Sequence, residues 1–344
     1  MSSIASKVRA RRREGVKPHE DYGFFGPDSV SWRVWGYPTS LTVGFQRAVV
    51  VEELDPFLLA SVQASNKVRT QARIRYDHTI RYFATVAFAD TRTAVTASRA
   101  LMRVHAKNVG IEPVSGKRYD ANDPDSQLWI LLTGWHSVLY AYEEYGPGKL
   151  SPEDERRYWD ECAIAAELQT CDPEKVPRTR EGIREYFESV RPRLAASEAT
   201  QAMMEHLLNA EVIFPPLPAI LRPGAWVVGR VQRAATLATM PRWQRKMAGL
   251  RQSRVVDAMV VPVMRLAFRV GALSTWLQLR LLALGSPSTV PVVEPVFREI
   301  PPLREETLGP AEAFELHRVP TPAEIYAQLR SDGAIDEGAA AATA

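Results

Sequence analysis

Residues 66–110 read NKVRTQARIRYDHTIRYFATVAFADTRTAVTASRALMRVHAKNVG, and their periodicity decides the fold. Residues 66–89 carry a helical pattern, Asp90 is placed to cap a second helix, and Gly110 is placed to end it after Val109. Along the second segment Ala94, Ser98, Leu101, Met102, His105 and Val109 fall on one stripe, which turns His105 inward among small and apolar neighbours. Along the first, Arg75, His78 and Thr79 stand at i, i+3 and i+4 and share one helix face. Imidazoles on successive helices can approach a planar ring from opposite sides, with Arg75 and Thr79 supplying donors on one of them. Ala94 and Ser98 are small enough to let such a ring approach. An inward histidine on its own is more often a hydrogen-bonded core residue, and it can equally ligate iron, zinc or copper or act as a base. The combination on one hairpin is what points to a metal cofactor, with His105 and His78 as candidate ligands.

The helical reading extends outward in both directions. Asp55-Pro56 marks a helix start, and Gln127 to Tyr145 form a helix rich in tryptophan and tyrosine. Ser151-Pro152-Glu153-Asp154 opens another helix, and 153–168, 179–193 and 197–209 continue the pattern. Residues 111–126 read as a loop. No internal repeat and no sustained strand pattern interrupts the series, so the expected class is all-α. The expected organisation is a basic arm over 1–20, one helical domain over 21–285, and a loosely held tail over 286–344 that is Pro-rich, acidic and finally Ala-rich.

With 344 residues and 46% hydrophobic content the chain can bury a substantial core. The net charge of +3 is unevenly spread: residues 191–293 carry 13 Arg or Lys against 4 Asp or Glu, whereas 294–344 carry 10 acids and 4 bases. The basic stretch is also apolar, which suits peripheral contact with an acidic lipid surface. A solvated arginine face is the commoner arrangement, and Pro262 interrupts the run of Arg254, Arg265, Arg269 and Arg280. The same arginines, with Asp257, leave no apolar span of the ~20 residues needed to cross a bilayer. The N-terminus turns basic without the apolar run of a secretory signal, so a cytoplasmic location is expected. Cys162 and Cys171 are too few for a disulfide framework or a covalent haem attachment, and no nucleic-acid module is present.

A set of residues in fixed order now gains meaning: Gly44-Phe45-Gln46-Arg47-Ala48, Pro56, Arg75-x-x-His78-Thr79, His105, the loop Tyr119-x-Ala121-x-Asp123-Pro124, and Trp129. Over roughly residues 23–270 this order resembles the rubber oxygenase catalytic-domain family, which includes latex-clearing proteins and the membrane-bound oxygenase of mycophenolate biosynthesis. The resemblance implies a globin-like helical bundle holding non-covalent haem b, with His105 at the position of the proximal ligand. It further implies dioxygen taken up opposite His105, Arg75 and Thr79 stabilising the developing negative charge, and a hydrophobic alkene, isoprenoid or lipid-like substrate. Rubber-cleaving members have Lys within Arg-x-x-Lys-Thr, where this chain has His78. Histidine is the better iron ligand at neutral pH, so a bis-histidine resting state follows. The carboxylate base of those members has no counterpart among residues 57–67, which hold no Asp or Glu.

Rival readings are weaker or less specific. A di-iron carboxylate bundle needs Glu-x-x-His pairs, and no Glu stands three residues before any histidine. Gly146-Pro-Gly148-Lys149 is followed by Leu150 and lacks the Ser or Thr of a phosphate loop. The serious alternatives are a non-catalytic haem-binding sensor, carrier or interaction protein, and a haem-free scaffold at a membrane surface. His136 is a second inward histidine, read as a core hydrogen-bonding residue, and His19, His206 and His317 are read as surface or packing positions.

Overall fold

A computed structural model describes residues 15–213 and 215–331, with only the backbone described at Glu211 and Val212. Residues 1–14 of the expected basic arm and 332–344 of the expected tail lie outside the described residues. The protein is all-α: a single two-stranded hairpin interrupts the helices of the described chain. We number the helices α1 (Val30–Trp35), α2 (Phe45–Glu52), α3 (Pro56–Ser65), α4 (Lys67–Thr70), α5 (Ala72–Phe88), α6 (Thr91–His105), α7 (Pro124–Tyr145), α8 (Pro152–Ala166) and α9 (Arg180–Val190). There follow α10 (Glu198–Leu208), α11 (Arg222–Thr239), α12 (Arg242–Met247), α13 (Arg254–Ala272), α14 (Thr275–Gly285), α15 (Val290–Phe297), α16 (Pro310–His317) and α17 (Pro322–Ser331).

Side-chain caps at Asp55, Asp90 and Ser151 start helices where the sequence placed them, whereas α7 starts at Pro124, three residues before the expected Gln127, because Asp123 caps it. The Asp55 carboxylate accepts from the Phe57 and Leu58 amides, Asp90 from Thr93, Asp123 from Ser126 and Ser151 from Asp154. The central element is α7, whose buried face includes Trp129, Leu132, Trp135 and Tyr145. A one-turn π-helix, Ser40–Gly44, leads into α2 against it. Gly44 is required there by packing, because a Cβ would lie 3.0 Å from Val138 Cα and 3.2 Å from the Thr39 carbonyl oxygen.

Three further expectations need correction. The periodic segment 66–89 is two helices, because Asn66 takes a left-handed backbone (φ 50°) and Gln71 leaves helical geometry before α5 begins. The second helix stops at His105, four residues early. Val109–Ile111 instead forms β1, antiparallel to β2 (Arg118–Asp120), with Val109 opposite Asp120, Gly110 opposite Tyr119 and Ile111 opposite Arg118. Gly110 serves that hairpin rather than a helix end: a Cβ there would fall 2.6 Å from the Tyr119 hydroxyl.

The third correction concerns the tail. From Ser286 to Ser331 the chain is packed, with Val293, Ala313, Phe314 and Ile325 buried. The Leu303 amide donates to the His19 carbonyl at 2.9 Å and the Tyr22 amide to Glu306 at 2.9 Å. Fully buried Asp21 accepts from the Thr91 amide (2.8 Å) and hydroxyl (2.7 Å) and pairs with Arg304 at 3.5 Å, tying both ends of the chain to α6. Its prolines set extended connections and helix starts, and its acids stay mostly at the surface, so composition alone resembled an unfolded segment.

Candidate active site

His105 closes α6, and the turn that follows β2 brings partners to its ring. The Gln127 side-chain nitrogen lies 3.1 Å from His105 Nδ1 and donates to the Ala121 carbonyl. Asn122, which anchors that turn by donating to the Met102 carbonyl at 2.9 Å, stands beside the same ring. Burial lowers the His105 pKa to about 4, and the Arg75 charge lowers it further, against a pull upward from the Ala121 carbonyl and the Asn122 side chain. The ring is therefore neutral at pH 7, the form that binds a metal. In the tautomer whose ring N–H donates to the Ala121 carbonyl, the other ring nitrogen keeps the lone pair that a metal takes.

Arg75, in the first turn of α5, stands close enough for its charge to act on this ring. It is exposed, and desolvation lowers its pKa against the upward pull of Glu52 and Glu53. Two carboxyls face it from the end of α2. Glu52 is the last residue of that helix and Glu53 caps it, both buried, with desolvation pushing each up to about 8. The Glu52 charge raises Glu53 as well, and Arg75 opposes the rise in both. Carboxylates at a helix C-terminus also oppose the helix dipole. Glu53 Oε2 is buried without a hydrogen-bond partner, an arrangement that costs stability unless something else uses it.

The charge of Arg75 thus acts on His105 and on Glu52 and Glu53, a carboxyl pair that lies outside residues 57–67. Glu52 and Glu53 follow the apolar run Val49-Val50-Val51 and precede buried Leu54, and that acidic pair embedded among core residues was the overlooked signal. Thr79 is half-buried and its hydroxyl donates to the Arg75 carbonyl at 2.8 Å. His78 is exposed on α5. His136 is a core residue, its Nδ1 3.4 Å from the buried Arg47 guanidinium, which donates to Ser137 Oγ at 2.6 Å. His206 Nε2 lies 3.1 Å from the Val68 carbonyl, His317 Nε2 lies 2.9 Å from Thr91 Oγ1, and burial lowers the His19 pKa, which makes all three packing residues.

A metal ion chelated by side chains alone needs three or four donors. Among the described residues no group of three His, Cys, Asp or Glu stands together to supply them. A single neutral imidazole beside a guanidinium suits instead a macrocycle that brings its own equatorial donors. Residues 32–273 match the family model described as ER-bound oxygenase mpaB/B'/Rubber oxygenase, catalytic domain. The chain belongs to this oxygenase family. The matched region contains α2, α5, α6 and α7, the elements that carry the site residues of this mpaB/rubber oxygenase relative. No curated protein and no solved structure matches it. Among the described residues no helix is long and apolar enough to cross a membrane.

Proposed function

We propose that this chain is a haem b-dependent oxygenase of hydrophobic alkene, isoprenoid or lipid-like substrates, with haem held non-covalently through His105. The observation that carries this reading is the neutral, buried His105 ring, held beside Gln127 and within range of the Arg75 charge. Bound haem would supply the iron centre at which dioxygen reacts with a carbon–carbon double bond. The chain's own residues supply the rest. Arg75 keeps a fixed positive charge within range of His105, where it stabilises negative charge developing on an oxygen atom. Glu52 and Glu53, held protonated near neutrality, can lend a proton and recover it. The Gln127 amide and the Ala121 to Asn122 turn fix the imidazole plane, so that ligation costs little reorganisation. His78, exposed one turn along from Arg75, is the second residue that would hold the haem iron.

The test is an absorption spectrum of purified protein, oxidised and dithionite-reduced, for wild type, His105→Ala and His78→Ala. A Soret band lost in His105→Ala and shifted to a five-coordinate position in His78→Ala is the expected result. A protein that stays colourless after haem addition refutes the reading. Oxygen consumption with an isoprenoid alkene, abolished in Glu52→Gln/Glu53→Gln with the Soret band intact, separates catalysis from haem carriage.

A further inference from the structure

One face of the molecule has the wrong polarity for water. Helix α13 buries Val260 and Met264 against α11 and α7, together with Val43, Ala141 and Tyr145. On its opposite side Val255, Met259, Val263, Leu266, Val270 and Leu273 recur at intervals of four, four, three, four and three residues, all of them exposed. A helix on the surface of a soluble domain puts polar residues at those positions. The neighbours continue the pattern: Trp226 on α11 is 55% exposed and Trp276 on α14 is 57% exposed. Of the 22 large hydrophobic residues exposed among the described residues, 15 fall between Ile220 and Leu284. That concentration exceeds the scattered apolar exposure of ordinary surfaces.

The charge around this face is of one sign. Between Ala219 and Gly285 the sequence has eleven Arg or Lys and a single acid, Asp257. Asp257 is held by Arg245 at 3.0 Å and by Gln252 at 2.8 Å. Glu144 and Glu205, which reach this side from α7 and α10, pair with Arg265 and Arg233. Arg242, Arg251 and Arg254 are exposed and, with Lys246, line a cleft of about 740 Å³ where α13 begins, at the foot of the apolar stripe. The Arg230 guanidinium lies 5.8 Å from the Trp226 ring and Arg280 lies 5.5 Å from the Trp276 ring. Tryptophan bodies and arginines with long apolar stems are the side chains that settle at a lipid–water boundary.

We infer that the α11, α13 and α14 face docks on the surface of an anionic lipid membrane. The apolar stripe of α13 and the two tryptophans enter the headgroup region, and the arginines at its edge and around the cleft hold lipid phosphates. Charge selects this occupant over a second copy of the chain. A two-fold contact would set the same arginines against each other, with Asp257, Glu144 and Glu205 already committed. The surface arises from residues remote in sequence from Arg75 and His105, and its test needs no enzymatic activity.

Full-length protein is sedimented with vesicles of phosphatidylcholine alone and of phosphatidylcholine mixed with phosphatidylglycerol, while tryptophan emission is recorded. Binding to the anionic vesicles only, with a blue shift and weakening in high salt, is expected. Arg254→Gln, Arg269→Gln and Arg280→Gln should each lower partitioning about fivefold. Leu266→Asp, an exposed position whose change leaves the core intact, should lower it more than about tenfold. Wild-type protein that stays in the supernatant with anionic vesicles overturns the inference. So does binding that Leu266→Asp leaves unchanged, and so does a dimer in sedimentation velocity that Leu266→Asp dissolves.

Discussion

Glu53→Gln should raise stability in a manner that grows with pH. Burial first, then the Glu52 charge, lifts the Glu53 carboxyl from an ordinary 4.5 to about 8, against the attraction of Arg75. A carboxyl whose folded pKa is raised binds more protons folded than unfolded between those two values. Stability therefore falls as pH rises from 4.5 to about 8 and levels above it. For one carboxyl taken alone the loss is about 5 kcal/mol across that window, a large fraction of the ~5–15 kcal/mol that holds a domain together. Glu52 and Arg75 share the site, so neutralisation of the first charge to form reduces the realised figure to about 2–5 kcal/mol. Glutamine keeps the shape of the neutral acid and cannot ionise, so it removes the slope without opening a cavity. Urea unfolding of haem-free protein, followed by far-ultraviolet circular dichroism, should give curves for wild type and variant that coincide near pH 5 and separate by several kcal/mol near pH 9. A difference that stays constant across this range would refute the proton-holding role of the pair.

Gly44→Ala should cost about 1–3 kcal/mol and lower Tm in calorimetry, since its Cβ meets the Val138 backbone at 3.0 Å and backbone cannot step aside; an unchanged Tm would contradict the close approach of α2 and α7. For Asp257, desolvation pushes the carboxyl up, but hydrogen bonds from Arg245 and Gln252 and the Arg245 charge outweigh it and hold the pKa below 3.8. Its contribution is present above pH 3.8 and is lost as pH falls through the lowered value. Asp257→Asn, which strands a buried guanidinium, should cost about 2–4 kcal/mol at pH 7 by urea titration. Truncation after Gly285 removes Val293, Ala313, Phe314 and Ile325 from the core, each worth about 1.5–3 kcal/mol or less for the alanine, and should yield insoluble protein; a soluble, cooperatively folding 1–285 fragment would show the segment to be dispensable.

Periodicity made the helices legible, because an amphipathic stripe and a side-chain cap are local properties. The caps at Asp55, Asp90 and Ser151 lie where the sequence set them. What failed to read was non-local. Gly110 looked like a helix terminator because a glycine after a periodic run has that meaning locally, whereas its use depends on Tyr119 across a hairpin. The segment after Ser286 looked loose because proline and acid content describe a chain in isolation. Val293 and Phe314 are ordered by a core contributed by distant helices. In the candidate site, Arg75 and His105 could be paired from helix faces alone. Glu52 and Glu53 could not, since they arrive from a helix that precedes the hairpin and approach it only through the packing of α2 on α7.

The residues that defy local rules are the ones for which the fold offers no internal use. Glu52 and Glu53 place acid at a helix C-terminus, inside apolar sequence, with one oxygen left unpartnered. The exposed stripe of α13 leaves six large apolar side chains in water when the same helix has already buried an inner face. Each feature costs folding free energy; Arg75 offsets part of the cost at the carboxyl pair. A sequence whose other choices agree with its structure tolerates such costs where binding repays them. For the carboxyl pair, the proposed function makes the repayment a proton lent beside His105. On α13 it is the removal of apolar surface from water at a lipid boundary. The two costs are independent, since one is set by pH and the other by salt and lipid charge. Oxygen consumption that responds to Glu53→Gln but not to Leu266→Asp, together with vesicle binding that shows the reverse, would establish that the chain folds around two separate sites.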